Sequence, residues 1–227
     1  LKDDPLTLAE LRETMGAVRD LERIIARLNV GNINPRDMLA LANSLEMVPA
    51  VRTLLSSYDL PLIERLRENI CEMPELVEKI LSAIVDEPPA TVSDGGVIRE
   101  GYNKELDEFR SAATDGKRWV AELQAKEQER SGIKSLKINY NRVFGYFIEV
   151  TKTHLASIPD DYIRKQTLVN SERFITPGLK EMESKILGSE DKSKALEIQL
   201  FEELRKFAET FTPQIQLTAA ALAESAV

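Results

Sequence analysis

Cys71 and His154 are the only cysteine and the only histidine in the sequence. A lone cysteine excludes an internal disulfide and any multi-cysteine zinc site. A lone histidine in a polar stretch leaves no Ser–His or Cys–His relay, and His154 reads as a solvated loop residue. No GxxxxGK[ST] segment occurs, so the backbone cradle of P-loop nucleotide enzymes is missing. No apolar run approaches the ~20 residues of a membrane-spanning helix, and no secretory leader is visible. These absences predict a cytoplasmic protein that makes no membrane contact. Carboxylate pairs are plentiful, but all fall in helical charge runs, which are normally solvated faces. The expectation is therefore no catalytic residue, no metal ligand and no cofactor.

What the chain has is helix chemistry. It is 43% hydrophobic, 30% charged and only 6% aromatic over 227 residues, enough for one large domain or two small ones. Its net charge of −8 argues against a wholly basic nucleic-acid binder but leaves room for a local basic patch. Thr7 and Glu10 have capping-box spacing, and Leu8, Leu11, Met15, Val18, Leu21, Ile25 and Leu28 form one helical stripe ended by Gly31. Asn34-Pro35 starts a second helix lined by Leu39, Ala42, Leu45 and Val48. Shorter helices are expected from Pro49 to Leu55, Pro61 to Ile70 and Pro74 to Val85. Residues 86–101 carry loop chemistry, with Pro88-Pro89 and Gly95-Gly96. A long helix then begins near Lys104, with Leu106, Phe109, Ala113, Val120 and Leu123 on one face and Gly116 weakening its middle. Trp119 reads as helix packing. The last turns, Gln124 to Arg130, have no apolar face and are expected to project from the body. Run unbroken over about 29 residues, this helix is roughly 43 Å long.

The hydrophobic period then changes from 3.6 to 2. Leu136, Ile138 and Tyr140, then Tyr146, Ile148 and Val150, alternate with polar neighbours across a turn near Arg142–Gly145, which reads as a β-hairpin. A third strand is expected from Thr167 to Ile175. Thr176-Pro177 starts a helix that carries Leu179, Met182, Ile186, Leu196, Leu200 and Leu204, and Thr212-Pro213 punctuates it. The predicted fold is mainly α: a helical bundle with two long helices carrying a small antiparallel β insertion. The pattern divides the chain into 1–133, 134–176 and 177–227. The insertion, small and poor in apolar residues, is expected to be mobile relative to the helices.

Charge is segregated in the same way. Residues 134–176 hold seven Lys/Arg against four Asp/Glu, a balance of +3 against −11 for the rest of the chain. A basic tip on an acidic body points to a polyanion. Lys, Arg, Asn, Gln, Ser and Thr are the types that bond phosphate oxygens. Asn141 and Arg142 at the hairpin turn, Lys152, Arg164 and Lys165 ahead of the third strand, and Asn170 are the candidate backbone contacts. The plainer alternative is an ordinary solvated sheet surface.

Several longer stretches resemble the MutS-type mismatch repair family. Residues 96–107, from Gly96-Val97-Ile98 through Gly101-Tyr102 to Glu105-Leu106-Asp107, resemble the lead-in to its lever helix. Residues 135–151, SLKINYNRVFGYFIEVT, resemble its first clamp hairpin, and residues 162–183, YIRKQTLVNSERFITPGLKEME, its clamp return and ascending helix. Asp20-Leu21-Glu22-Arg23 and Asn34-Pro35-Arg36-Asp37 resemble the preceding core segment. The resemblance implies lever and clamp domains that hold double-stranded DNA by its backbone without reading sequence, within a homodimer that meets a MutL-type partner. It further implies that the chain is an excised fragment lacking the mismatch-reading and connector domains. The ATPase domain, where ATP and Mg²⁺ belong, is also expected to lie outside it, so the fragment is no enzyme and by itself is a monomer or weak dimer. Phe147-Ile148-Glu149 resembles the family's F-x-E reading wedge, but its place in an alternating hairpin reads as ordinary strand. Two rivals remain: a structural helical arm whose tip binds protein, and an enzyme with ATP hydrolysis in this fragment, against which the missing phosphate loop speaks. A MutS paralogue acting in recombination control is a further alternative.

Overall fold

The structure is a computed structural model that describes residues 5–16, 18 and 21–225, without the side chains of Pro5, Leu6, Leu8 and Ser225. The expected Leu8 side chain, Asp20 and both chain ends therefore lie outside the described residues. The protein is mainly α with one small antiparallel sheet. It forms two compact units, Leu1–Tyr102 with Lys194–Val227, and Asn103–Ser193. The units divide at different points from the changes in hydrophobic period because the long helices share a core with the sheet.

In the first unit the single expected helix over residues 7–28 is two, α1 (Pro5–Gly16) and α2 (Leu21–Asn29). Gly16, a poor helix former, is the last residue of α1, and Thr7 lies inside that helix instead of capping it. Helices α3 (Pro35–Glu46), α4 (Val48–Leu55), α5 (Pro61–Asn69) and α6 (Pro74–Ala83) each have proline in the first turn, where a missing N–H costs no helical bond. Asn34 caps α3 as its spacing predicts: its Oδ1 accepts the Asp37 N–H at 2.8 Å. Residues 35–55 are, by length and composition, apolar enough to pass as a membrane span. They fold as two helices meeting at Met47, and Met38, Leu41, Leu45, Val48, Val51 and Leu55 are buried in the unit's core.

Residues 84–102 are held by few but specific bonds. Ile84 and Ile98 form an isolated antiparallel bridge. The buried Glu197 carboxylate accepts the N–H groups of Gly96 at 3.1 Å and Val97 at 2.8 Å. Glu197 lies on α8 (Pro177–Glu209), which runs through both units, and α9 (Thr212–Ser225) follows.

The second unit is built on α7 (Lys104–Ser131), which is 28 residues long and capped by Asn103, whose Oδ1 accepts the Leu106 N–H at 2.9 Å. Gly132, at φ 70°, ends it in the left-handed conformation glycine favours. The sheet comprises β1 (Lys137–Asn141), β2 (Gly145–Thr151), β3 (Ile163–Thr167) and β4 (Ser171–Ile175), antiparallel throughout in the order β1-β2-β4-β3. The expected third strand is thus a second hairpin, closed by the Leu168 N–H on the Ser171 carbonyl at 2.9 Å. An edge strand wetted on both sides needs no apolar alternation, so Ile163–Thr167 carries no period-2 signal.

Two further expectations are corrected. The insertion is not poor in docking residues: Leu136, Ile148, Val150, Tyr162 and Phe174 share a core with Val120, Leu179 and Ile186 of the helices. Nor does the polar end of α7 project freely. Gln124 and Gln128 bond to the backbone around β1, and Glu127 bonds to the Tyr162 hydroxyl. These contacts remove the premise for a loosely attached sheet.

Candidate nucleic-acid interface

The first hairpin turn is made by Asn141 and set by α8. The Asn141 Oδ1 accepts the N–H groups of Val143 at 2.8 Å and Phe144 at 3.4 Å, so this oxygen is engaged in its own turn. Gly145 has φ +73°, and a Cβ there would collide with the Glu183 carboxylate. Glu183 also accepts the Tyr146 N–H and pairs with Lys180 at 2.8 Å. Nothing in the sequence marks Glu183, because its partner on β2, the Tyr146 N–H, lies 37 residues away. Arg142 is exposed beside this turn.

Register separates the six candidate residues. Asn141 pairs with Gly145 at one end of β2, and Thr151 pairs with Ser171 at the other. Those ends are about 20 Å apart at the usual strand rise. Lys152 and Asn170 meet at the second end, where the Lys152 N–H donates to the Asn170 carbonyl at 3.1 Å, and both residues are exposed. Lys165 occupies a bulge between Arg164 and Gln166 on the edge strand. It lines a cavity of about 190 Å³ with Val143, Phe144, Phe147, Arg173 and Lys180, which puts it with the first end. Arg164 is less free than its sequence position implies, because its Nε lies 2.8 Å from the buried Glu172. The six residues therefore form no single cluster.

The sheet face bearing Phe147 explains the F-x-E triplet. The Arg173 guanidinium lies 4.2 Å from the Phe147 ring centroid, covering it. Arg173 also reaches Glu149 at 3.3 Å and Gln166 at 2.9 Å. Phe147 and Glu149 are thus committed within the sheet, as the strand reading expects. Trp119 is half-buried and packs against the core of the second unit. Lys134, in the turn before β1, and Lys137, the first residue of β1, are exposed cations absent from the six candidates. Among the described residues, Lys134, Lys137, Arg142, Lys152 and Lys165 have no carboxylate partner.

Titration is shifted at a buried and a half-buried tyrosine and at a partly exposed ion pair of the unit. Burial, and then the hydrogen bond to Glu127, push the Tyr162 phenol above its usual range, and burial does the same to Tyr146. The Lys117 ammonium is raised by its bond to Glu190, 2.5 Å away, which ties α7 to α8. Among the described residues no group of three or more His, Cys, Asp and Glu is placed to hold a metal.

Comparison with known proteins fits this architecture. Residues 101–192 match MutS family domain IV. The chain is 46% identical over 224 residues to a DNA mismatch repair protein MutS of Alkaliphilus oremlandii, covering 99% of the chain and 26% of that protein. It is 49% identical over 203 residues to the protein of the same name from Salinibacter ruber, covering 89% of the chain and 22% of that protein. A third, from Methanothrix thermoacetophila, is 46% identical over 217 residues, 95% of the chain and 25% of the relative. The chain thus spans about a quarter of the length of the curated relatives it matches. It belongs with the MutS proteins of DNA mismatch repair, corresponding to one part of them and carrying domain IV of that family at residues 101–192.

Proposed function

We propose that this part of the protein holds double-stranded DNA by its phosphate backbone, without reading sequence, through the four-stranded sheet. The observation that carries the reading is the set of five exposed cations, Lys134, Lys137, Arg142, Lys152 and Lys165, left without carboxylate partners on an otherwise acidic chain. Unpaired surface cations release counterions when they meet phosphates, and this is the sequence-independent component of DNA affinity. Asn170, exposed beside Lys152, adds a neutral donor at the same end of the sheet. The chain itself supplies no catalytic group in this reading. ATP and Mg²⁺ belong to the length of the relatives that it does not span, as do the main homodimer contacts and the surface for a MutL-type partner, in a protein working in the cytoplasm. Titration of this chain with matched and mismatched duplexes of unrelated sequence tests the reading. Similar affinities that fall together with added salt are expected; salt-insensitive binding, or none, contradicts it.

A second reading has its own support. Val143 is 81% exposed and Phe144 45%, which puts two adjacent apolar side chains on the first hairpin turn. Such a surface suits a protein partner. If Val143→Ser with Phe144→Ser abolished partner capture while leaving DNA affinity intact, the sheet would be a protein-binding tip.

A further inference from the structure

In sequence the end of α7 reads as a solvated helix, yet in the structure its polar side chains grip the sheet. Gln124, Glu127 and Gln128 are three and four residues apart and so share one helix flank. The Gln124 Oε1 accepts the Ile138 N–H at 2.7 Å, and the Gln128 Nε2 donates to the Leu136 carbonyl at 2.7 Å. Glu127 is buried, and its Oε2 accepts the Tyr162 hydroxyl at 2.7 Å and the Arg130 Nε at 3.0 Å. Arg130 continues to both carboxylate oxygens of Asp161, at 3.0 and 3.2 Å. Ile138 belongs to β1, and Asp161-Tyr162 lead directly into β3. These are the two outer strands of the sheet, so about two turns of one helix hold both of its edges.

A buried carboxylate is a poor choice for stability alone. Removing it from water costs several kcal/mol before its partners repay that, and apolar residues of similar volume often do as well. What directed bonds add over apolar packing is geometry: a hydroxyl and a carboxylate hold one separation and one angle, whereas packed side chains slide. Tyr162 is anchored from behind by its ring, which lies 5.8 Å from the Phe174 ring in the core, so the bond to Glu127 fixes the core of the sheet and not merely a loop.

We propose that Glu127 and Tyr162 are positioning residues that fix the orientation of the sheet on α7, so that helix and sheet turn as one body. Movement of α7 is then delivered to Lys137, Arg142, Lys152 and Lys165 instead of being dissipated in the connection at residues 132–136. The purpose of the device rests on the DNA reading; its existence does not.

The test uses the full chain with Cys71→Ala, spin labels on Glu122→Cys of α7 and Thr167→Cys of β3, and pulsed electron–electron distances measured without DNA. The native pairing should give one narrow distance. Tyr162→Phe, which keeps the ring, and Glu127→Ala should replace it with a broad distribution while a cooperative melting transition is retained. Glu127→Gln, which still accepts the Tyr162 hydroxyl, should restore the narrow distance, a rescue that bulk stability does not predict. Distributions as narrow in Tyr162→Phe and Glu127→Ala as in the native chain would overturn the proposal. DNA affinity, measured separately, should drop in the broadened variants although every cation of the sheet is intact. A native chain that binds no duplex would defeat the DNA reading while leaving the distance result standing.

Discussion

At Gly145 two demands meet, a left-handed backbone and the absence of a side chain where the Glu183 carboxylate sits. Gly145→Ala should therefore cost more than the ~1 kcal/mol of a left-handed alanine. A denaturant titration should show a loss of about 2 kcal/mol or more, part of which Glu183→Ala restores, because relieving a shared clash makes two changes non-additive. Tyr162 gives a pH-dependent counterpart. Its phenol is raised in the folded state by burial and by Glu127, so the fold favours the protonated form. That contribution is complete below the unfolded tyrosine value of about 10 and is lost as pH rises through the folded value. Stability should fall on the alkaline side, and Tyr162→Phe should flatten that limb of a pH–stability curve. Neither Glu183 nor Glu127 was legible in the sequence. Each sits in a helical charge run, and its decisive partner is 37 or 35 residues away. Asn34 and Asn103 are the opposite case, since a cap is judged from three neighbouring residues.

Elements were legible where local chemistry punctuates them. Proline at the helix starts, Asn34 as a cap and the shift to period 2 at Leu136 all fell where the structure has boundaries. The misses have tertiary causes. β3 lacks alternation because it is an edge strand, and the polar end of α7 lacks an apolar face because hydrogen bonds dock it there. α7 and α8 approach so closely at Gly116 that an added Cβ would overlap Ile186. Mid-helix Gly→Ala normally stabilises by up to ~1 kcal/mol. Here Gly116→Ala should instead destabilise, by about 1–3 kcal/mol for forced overpacking, with thermal melting as the measurement. A net gain would mean that the helices separate more easily than this close approach implies. Because the sheet shares its core with both helices, the amides of Ile148 and Val150 should exchange as slowly as those of Leu106 to Val120 in α7, whereas those of Val169 and Asn170 exchange fast. Rapid exchange throughout β2 would return the picture of a loosely tethered insertion.

For the molecule as a whole, the sequence places opposite charge in different segments, +3 over residues 134–176 against −11 elsewhere. It could not tell which of those cations are spent on internal pairs. Arg164, chosen from its place beside Lys165, lies against Glu172, whereas Lys134 and Lys137 stand free of carboxylates. In the DNA-holding reading the free cations of the sheet meet phosphates. The direct test is DNA affinity against salt concentration for the native chain and for a variant with Arg142→Gln, Lys152→Gln and Lys165→Gln. Every cation that no longer neutralises a phosphate should reduce the log–log slope by about 0.9, equally for matched and mismatched duplexes. A lower slope with weaker binding to every duplex is the predicted result. An unchanged slope would remove these residues from the interface, and weakening confined to mismatched duplexes would show that the sheet reads DNA instead of holding it.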